Sequence, residues 1–390
     1  MSLDLFHTKP WRVDWFDAEL EHRKYQKAFR EDDDYSEEVN LYFGDVHKHS
    51  EISPCSKVNP YNGSLEECYE YAREEAATDF LAITDHAERM TEEQWAESMT
   101  EAHAHTEPGE FVGWPAVEWA SGVHGHRNIY YRDWDAPLIG SHVAPTPTKL
   151  WAHLRAEGIE ALTIPHHTAR ELSCNMTVTD DEMDVAFEVY SGWGNEEYHG
   201  APRQDTDRSF TRGFYVDTLL RGYRMGVVAG GDGHPAKPAV TGVTGVYAKD
   251  LTLECLWDAL ARRRTIATTG VQIKLDFHVN GWPMGSSLSF GPDEVSELFP
   301  LEIGVAVQGT APVDTVEIVE NGVVVHTKTK PRAAADMFAY RWFMQSGPTD
   351  GAKPIHSANN VSRFIYVRVT QTDGNMAWSS PVWLNFEYPP

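Results

Sequence analysis

In the segment GDVHKHS, Asp45, His47 and His49 stand two residues apart, so on an extended strand all three project from one face. His47 and His49 can then grip one cation, with Asp45 behind them as an orienting carboxylate. Similar groups recur downstream: Asp85 and His86 in AITDHA, Glu118 in PAVEW, His124 and His126 in VHGHRN, His166 and His167 in TIPHHT, Asp232 and His234 in GGDGH. Each closes or follows a short apolar run that reads as a strand. The chain holds 18 histidines, and 13 of them fall between His47 and His234. A lone strand-end histidine is most often structural, but five such groups in one context point together to bound metal. Imidazole with carboxylate suits Zn, Mn or Fe better than Mg or Ca. More than four candidate ligands implies more than one ion, and a shared carboxylate such as Glu118 can bridge two.

Other residues near these groups have a functional reading and a bland one. Glu188, in AFEVYSGW, ends a strand and is either an orienting or catalytic carboxylate or a structural partner. Arg127 and Arg170 adjoin candidate ligands and could bind an anionic group, although loop arginines are more often simply solvated. Trp119 and Trp193 could wall an aromatic substrate pocket, with core packing the safer reading. His103 and His105, in EAHAHTE, read as solvent-facing on a polar helix.

The elements that must position these groups alternate between strand and helix. Strands are expected at Leu41–Val46, Phe80–Thr84, Phe111–Glu118, Arg127–Tyr131, Ala161–Ile164, Val185–Tyr190, Val227–Gly230 and Gly242–Tyr247. Helices are expected near 65–77, 91–107, 147–157, 206–224 and 252–263, the first opened by a Ser64–Glu67 capping box. This alternation predicts an α/β fold with a parallel sheet, open or closed, whose strand ends form one rim. Three regions follow: an acidic extension over 1–40, the α/β unit over 41–270, and an all-β sandwich-like unit over 271–390. In the last, Asn280-Gly281, Asn321-Gly322 and Asp373-Gly374 are hairpin-turn dipeptides between alternating segments. Residues 330–360 read as a long loop or a partly ordered insertion.

Composition sets the outer limits. The 390 residues carry 33 basic and 59 acidic side chains, a net charge of -26. A field of that sign repels phosphate backbones, so a small-molecule substrate is expected and a nucleic-acid partner is not. No apolar run is long enough to span a membrane and the N-terminus shows no signal-peptide core, so no membrane partner is expected. Cys55, Cys68, Cys174 and Cys255 show no paired-cysteine spacing, which fits a reducing cytoplasm. Neither P-loop, serine elbow nor dinucleotide fingerprint offers a rival chemistry. Self-association stays open.

His-x-His, Thr-Asp-His, a strand-end Glu, a later His and a final Asp-x-His, in that order, resemble the PHP (polymerase and histidinol phosphatase) superfamily. The segment YVRVTQTDGNMAWSSPVW at 366–383 resembles the tail of PHP-like proteins carrying domain of unknown function 3604. Relatives of that branch include hydrolases of carbamate esters such as carbaryl. The resemblance implies a distorted (β/α)7 barrel over 41–270 holding two or three divalent ions. It assigns His47, His49, Glu118 and Asp232 to a first ion, and has Glu118 bridge to a second held by His126 and by His166 in preference to His167. His86 and His234 would take a third. Cys55 stands where the family often has another histidine and could ligate zinc in its place, with a buried inert cysteine the safer reading. Catalysis would fall to His86, Glu118, Asp232 and His234, with phosphoester hydrolysis expected first. Hydrolysis of a carbamate, ester or amide is the alternative, and a non-catalytic metal-binding module the third reading.

Overall fold

The computed structural model describes residues 39–53, 63–170, 174–207, 210–291, 294, 298–329, 337–344, 355–356 and 360–387. Cys55, nearly all of the acidic extension and most of 330–360 lie outside the described residues. Within them the protein is a mixed α/β, sheet-rich structure with few helices.

β1 (Asn40–Lys48), β2 (Phe80–Ile83) and β3 (Val112–Trp114) pair in parallel, as alternating units require. The uniformly parallel sheet expected from the alternation does not continue. β4 (Ala116–Ser121), β5 (Gly125–Tyr131) and β6 (Ala161–His166) form an antiparallel group. Between β4 and β5 lie only Gly122, Val123 and His124, far too few for the crossover that a parallel pair needs. Pro115 separates β3 from β4 where one strand was expected, since it has no N–H for a ladder. β7 (Ala186–Ser191) pairs antiparallel with the short β8 (Gly194–Asn195) and in parallel with β9 (Gly226–Ala229). β10 (Val243–Ala248) runs antiparallel to both β1 and β11 (Thr265–Thr268).

Single parallel bridges join these groups: His86 with Glu118, Thr163 with Asp184, and Lys48 with Gly233. They carry the order β1, β2, β4, β5, β6, β7, β9 back to β1. The chemistry-bearing segments are thereby brought round one centre.

Among the described residues, five α-helices support this arrangement: α1 (Leu65–Glu70), α2 (Glu92–Ala104), α3 (Pro147–Ala156), α4 (Tyr215–Leu220) and α5 (Leu253–Ala261). The expected capping box on α1 forms, with Ser64 Oγ accepting from Glu67 N at 3.1 Å and Glu67 Oε2 from Ser64 N at 2.9 Å. Of the helix expected over 206–224, the described residues form α4, which is bounded by Gly213 and Gly222 at φ 95° and 91°. Both glycines hold the left-handed backbone that stops a helix. Among the described residues no helix is long and apolar enough to cross a membrane.

Downstream are β12 (Lys274–Val279), β13 (Trp282–Pro283), β14 (Ser287–Phe290), β15 (Leu301–Gln308), β16 (Val313–Glu320), β17 (Val323–Thr329), β18 (Met337–Met344), β19 (Ile355–His356), β20 (Asn360–Gln371), β21 (Met376–Ser379) and β22 (Val382–Glu387). β13, β12, β15 and β18 form one sheet, and its inward Leu275, Phe277, Val279, Val305 and Val307 share a core with Ile318, Val367 and Leu384. Asn280-Gly281 and Asn321-Gly322 both take positive φ, as two-residue hairpin turns demand. Hydrogen bonds cross position 270, because β11 pairs with β21 and continues the sheet from β1 into β20 and β22.

Candidate metal centre

β1 delivers His47 and His49 from one face, fully buried, as the spacing of two requires. Asp45 does not orient an imidazole. Its Oδ1 accepts from His47 N at 3.0 Å and Gly231 N at 2.9 Å, and its Oδ2 from Ala239 N at 2.8 Å. The carboxylate thus ties β1 to the segment carrying Asp232. Glu188 does the orienting instead, with Oε2 2.7 Å from His47 Nδ1. Ser53 Oγ meets His49 Nδ1 at 3.1 Å. Both imidazoles are left with Nε2 turned to the centre.

Glu118, 1% exposed, occupies that centre. Its Oε1 lies 2.6 Å from His126 Nδ1 and 3.2 Å from His166 Nε2. Its Oε2 lies 3.2 Å from His49 Nε2, 3.4 Å from His86 Nδ1 and 3.8 Å from His47 Nε2. Asp232 stands opposite with its oxygens divided. Oδ1 faces His49 Nε2 at 3.2 Å and His47 Nε2 at 3.5 Å, while Oδ2 meets His167 Nε2 at 2.8 Å and Trp193 Nε1 at 2.5 Å. Asp232 and His167 hold φ of 44° and 54°, an uncommon region for residues with a Cβ. The Asp232 N–H donates to His47 O at 2.7 Å, which helps hold that backbone.

Among the described residues, four ligand triplets have donor atoms within 4.8 Å of one another: His47, His49 and Asp232; His47, Glu118 and His166; His49, His86 and Glu118; His126, His166 and His167. His47 Nε2, His86 Nδ1 and Glu118 Oε2 are buried and lack a hydrogen-bond partner among the described residues. Buried polar atoms are costly unless paired, and here they converge, so the cluster fits a divalent metal ion.

Without metal, protons take the place of cations. Burial works against a charge on His47, but Asp232 and Glu188 raise its pKa well above the ordinary value. His49 is likewise opposed by burial yet held up to about 9 by Asp232 and Glu118. Burial and the charge on His47 push His166 down, and burial pushes His86 down to about 4. Glu118 and Asp232 stay well below the usual carboxylate range despite burial, because histidines surround them. A raised histidine pKa stabilises the fold fully below its unfolded value and ceases to do so above its folded one. Metal-stripped protein should therefore lose stability as pH rises from 6.5 through about 9, the range set by His49. Metal uptake in that range should release protons. Thermal melts of stripped protein and calorimetry in buffers of different ionisation enthalpy check both; flat melts and no proton release would contradict this.

The structure brings His47, His49, His86, Glu118, His126, His166, His167, Glu188 and Asp232 together. His234 sits at the edge, its ring 4.9 Å from that of His49 and its Nδ1 without a hydrogen-bond partner among the described residues. Asp85 accepts from Ser50 N at 2.8 Å and Ser50 Oγ at 2.5 Å, holding the turn after β1. Arg127 is unavailable to a substrate, contrary to the anion-binding expectation: it is fully buried against Asp184, Nε to Oδ1 3.2 Å. Asp184→Ala strands that charge and should cost about 3–5 kcal/mol, read from the urea midpoint. Arg170 stacks on Trp193 with its guanidinium carbon 4.3 Å from the ring centroid. Trp119 is a core residue, its Nε1 donating to Ala144 O at 2.8 Å.

Besides Ser53, two positioning residues escaped the sequence reading. Lys48, fully buried, donates to His49 O and, at 2.7 Å, to Gly233 O, joining β1 to the Asp232 segment. A lysine inside His-x-His was its only local signal. Glu196 Oε2 accepts from Thr168 N and Thr168 Oγ at 2.9 Å each and from Ala169 N at 3.3 Å, holding the loop that carries His167. Nothing local marks Glu196, since its partners are distant in the chain.

A model of the family described as protein of unknown function, DUF3604, matches residues 77–183 and 202–298, just over half of the chain. An uncharacterized protein of Chlamydia pneumoniae is 28% identical over 373 residues, covering 89% of this chain and 57% of that protein. The chain spans a little over half the length of the curated relatives it matches. Among solved structures, a two-domain protein from Bacteroides vulgatus, described as containing a predicted PHP-like metal-dependent phosphoesterase, is similar at TM-score 0.42 and 12% identity, covering 88% of this chain and 95% of that one. Endonuclease Q in complex with a 27-mer duplex substrate is similar at TM-score 0.35 and 11% identity, with 56% of each chain covered. With that likeness the expected exclusion of a nucleic-acid partner is corrected. Net charge sums the whole surface, whereas bound cations would set the sign at the site itself.

Proposed function

This chain belongs to the family described as protein of unknown function, DUF3604, and from its buried cluster we propose that it is a metal-dependent hydrolase acting on phosphoesters. The observation that carries the reading is Glu118, one buried carboxylate whose two oxygens face imidazoles of five histidines. His47, His49, Glu118 and Asp232 would hold one ion. Glu118 would be shared with a second, held also by His126 and His166, and His86 and His234 would hold a third. Bound divalent ions supply hydroxide at neutral pH and polarise the electrophile.

The chain's own residues supply the frame. Glu188 fixes the tautomer of His47, and Ser53 holds the ring of His49 at Nδ1, so that both Nε2 atoms face inward. His86 and His234 stand where the cluster meets solvent and would touch substrate. Several cation positions around one carboxylate suit the several oxygens of a phosphoryl group, which supports phosphoesters over neutral esters. The same reading takes the bridged ring of strands as a distorted (β/α)7 barrel over 41–270, with an acidic extension before it and a β unit over 271–390.

Metal content of protein purified without added metal, measured beside Asp232→Ala, tests the proposal. More than one equivalent of Zn, Mn or Fe, sharply reduced in the variant, is expected. A substrate screen then sets phosphomonoesters and DNA phosphodiesters against carbamates and carboxylic esters. Turnover of carbamates alone would overturn the substrate class and keep the hydrolase. Protein that takes up no metal, even when Mn or Zn is added, would overturn both.

A further inference from the structure

We infer that Trp193 is the substrate-recognition platform of this site, packing an aromatic group that adjoins the scissile phosphoester; the inference rests on the phosphoester reading above. Trp95, Trp114, Trp119 and Trp151 are all 4% exposed or less, as tryptophans of a core should be. Trp193 is 37% exposed and still belongs to the cluster, because its Nε1 donates to Asp232 Oδ2 at 2.5 Å. His167, which shares that oxygen, meets the indole edge-on with ring centroids 5.8 Å apart.

The indole is held on several sides. Gly192 N donates to Gly231 O at 3.1 Å, and Trp193 N to Ser191 Oγ at 3.3 Å. Arg170 covers part of the ring and also reaches Trp193 O at 3.5 Å. Two residues on, Asn195 N bonds to Arg203 O at 3.1 Å, and Glu196 N to Val189 O at 2.8 Å. A ring so fixed has already lost its conformational freedom, so a ligand that stacks on it gains contact at little entropic cost. The guanidinium stacked on the indole draws on its π density, which favours a flat, electron-rich group on the open part.

Neighbouring exposure has the same character. Phe210 is 45% exposed, and its N–H donates at 2.5 Å to Ala169 O, two residues from His167. Val123 is 83% exposed in the turn between Glu118 and His126. Apolar side chains on segments that carry the cluster suit a substrate whose leaving group is apolar and whose reacting centre is anionic. Aryl phosphates and nucleobase-bearing phosphodiesters share that chemistry.

Binding of phenylphosphonate and methylphosphonate to Mn-loaded protein, by calorimetry, tests this without turnover. Wild-type protein should prefer the phenyl compound by roughly tenfold. Trp193→Phe should keep most of that preference, and Trp193→Ala should lose it, with the two variants binding methylphosphonate alike. Both variants lack the N–H donor to Asp232, so any change they share, in metal content above all, belongs to that bond and not to stacking. An equal phenyl-to-methyl ratio in wild type and Trp193→Ala would overturn the platform. Failure of both phosphonates to bind metal-loaded wild type would instead overturn the phosphoester reading. Phenyl and ethyl N-methylcarbamates, compared in the same variants, would then decide the platform separately.

Discussion

Glu118→Gln should yield a folded protein that retains roughly a tenth or less of the wild-type metal and loses more than ~100-fold in turnover. The amide preserves the shape of the side chain and removes its charge. In the native protein that charge faces His126 and His166 with one oxygen and His47, His49 and His86 with the other. Losing an outer partner of a ligand typically costs ~10–100-fold in metal affinity or activity. Glu118 is central and shared, so its loss should exceed that range. Glu188→Gln is the internal comparison, because Glu188 reaches the centre only through His47 Nδ1 at 2.7 Å. It should fall within the ~10–100-fold range. Elemental analysis and steady-state rates on both variants check the ordering. Full metal and full activity in Glu118→Gln would end the case for a shared carboxylate.

The second large effect lies away from the metal. Glu197 is fully buried, and its Oε1 accepts from Tyr366 Oη at 2.7 Å and Arg368 Nη1 at 2.8 Å. Its Oε2 accepts from Trp378 Nε1 at 2.7 Å. All three partners belong to β20 and β21, while the adjacent Glu196 turns to the His167 loop. This pair of neighbouring carboxylates therefore links the downstream strands to the segment that carries Trp193. Glu197→Ala leaves a buried indole N–H and a nearly buried guanidinium without their acceptor. Breaking a buried pair costs about 3–5 kcal/mol, and the lower end applies because Arg368 keeps Glu317, Nη2 to Oε2 2.7 Å. Glu197→Gln keeps a carbonyl acceptor and should cost about 1–3 kcal/mol. Urea midpoints of the two variants against wild type give the measurement. Equal stability of all three would show that the strands are held without this carboxylate.

Much of the centre was legible before any fold was known. Spacing of two in GDVHKHS placed His47 and His49 on one face, because strand side chains alternate whatever the strand pairs with. Asn-Gly dipeptides located two hairpins and Ser64 located a helix start, each through chemistry confined to a few residues. The hydrophobic alternation found the strands, and their ends found the cluster.

Pairing direction, by contrast, is not a property of one strand. β4, β5 and β6 have the same apolar texture in either sense, and the shortness of the β4–β5 turn decided for antiparallel. The partners of the candidate ligands were equally out of reach. Glu188 lies 141 residues from the imidazole that it orients, and Arg127 looked free until Asp184 was found 57 residues away. Asp45 lies beside the cluster, but its oxygens serve backbone N–H groups and no imidazole that a spacing of two would suggest. Residue type and local period thus determined which side chains could bind metal and which way they point from their strands. Only the tertiary structure decided which atoms meet, because hydrogen bonds and ion pairs depend on distances set by every intervening element.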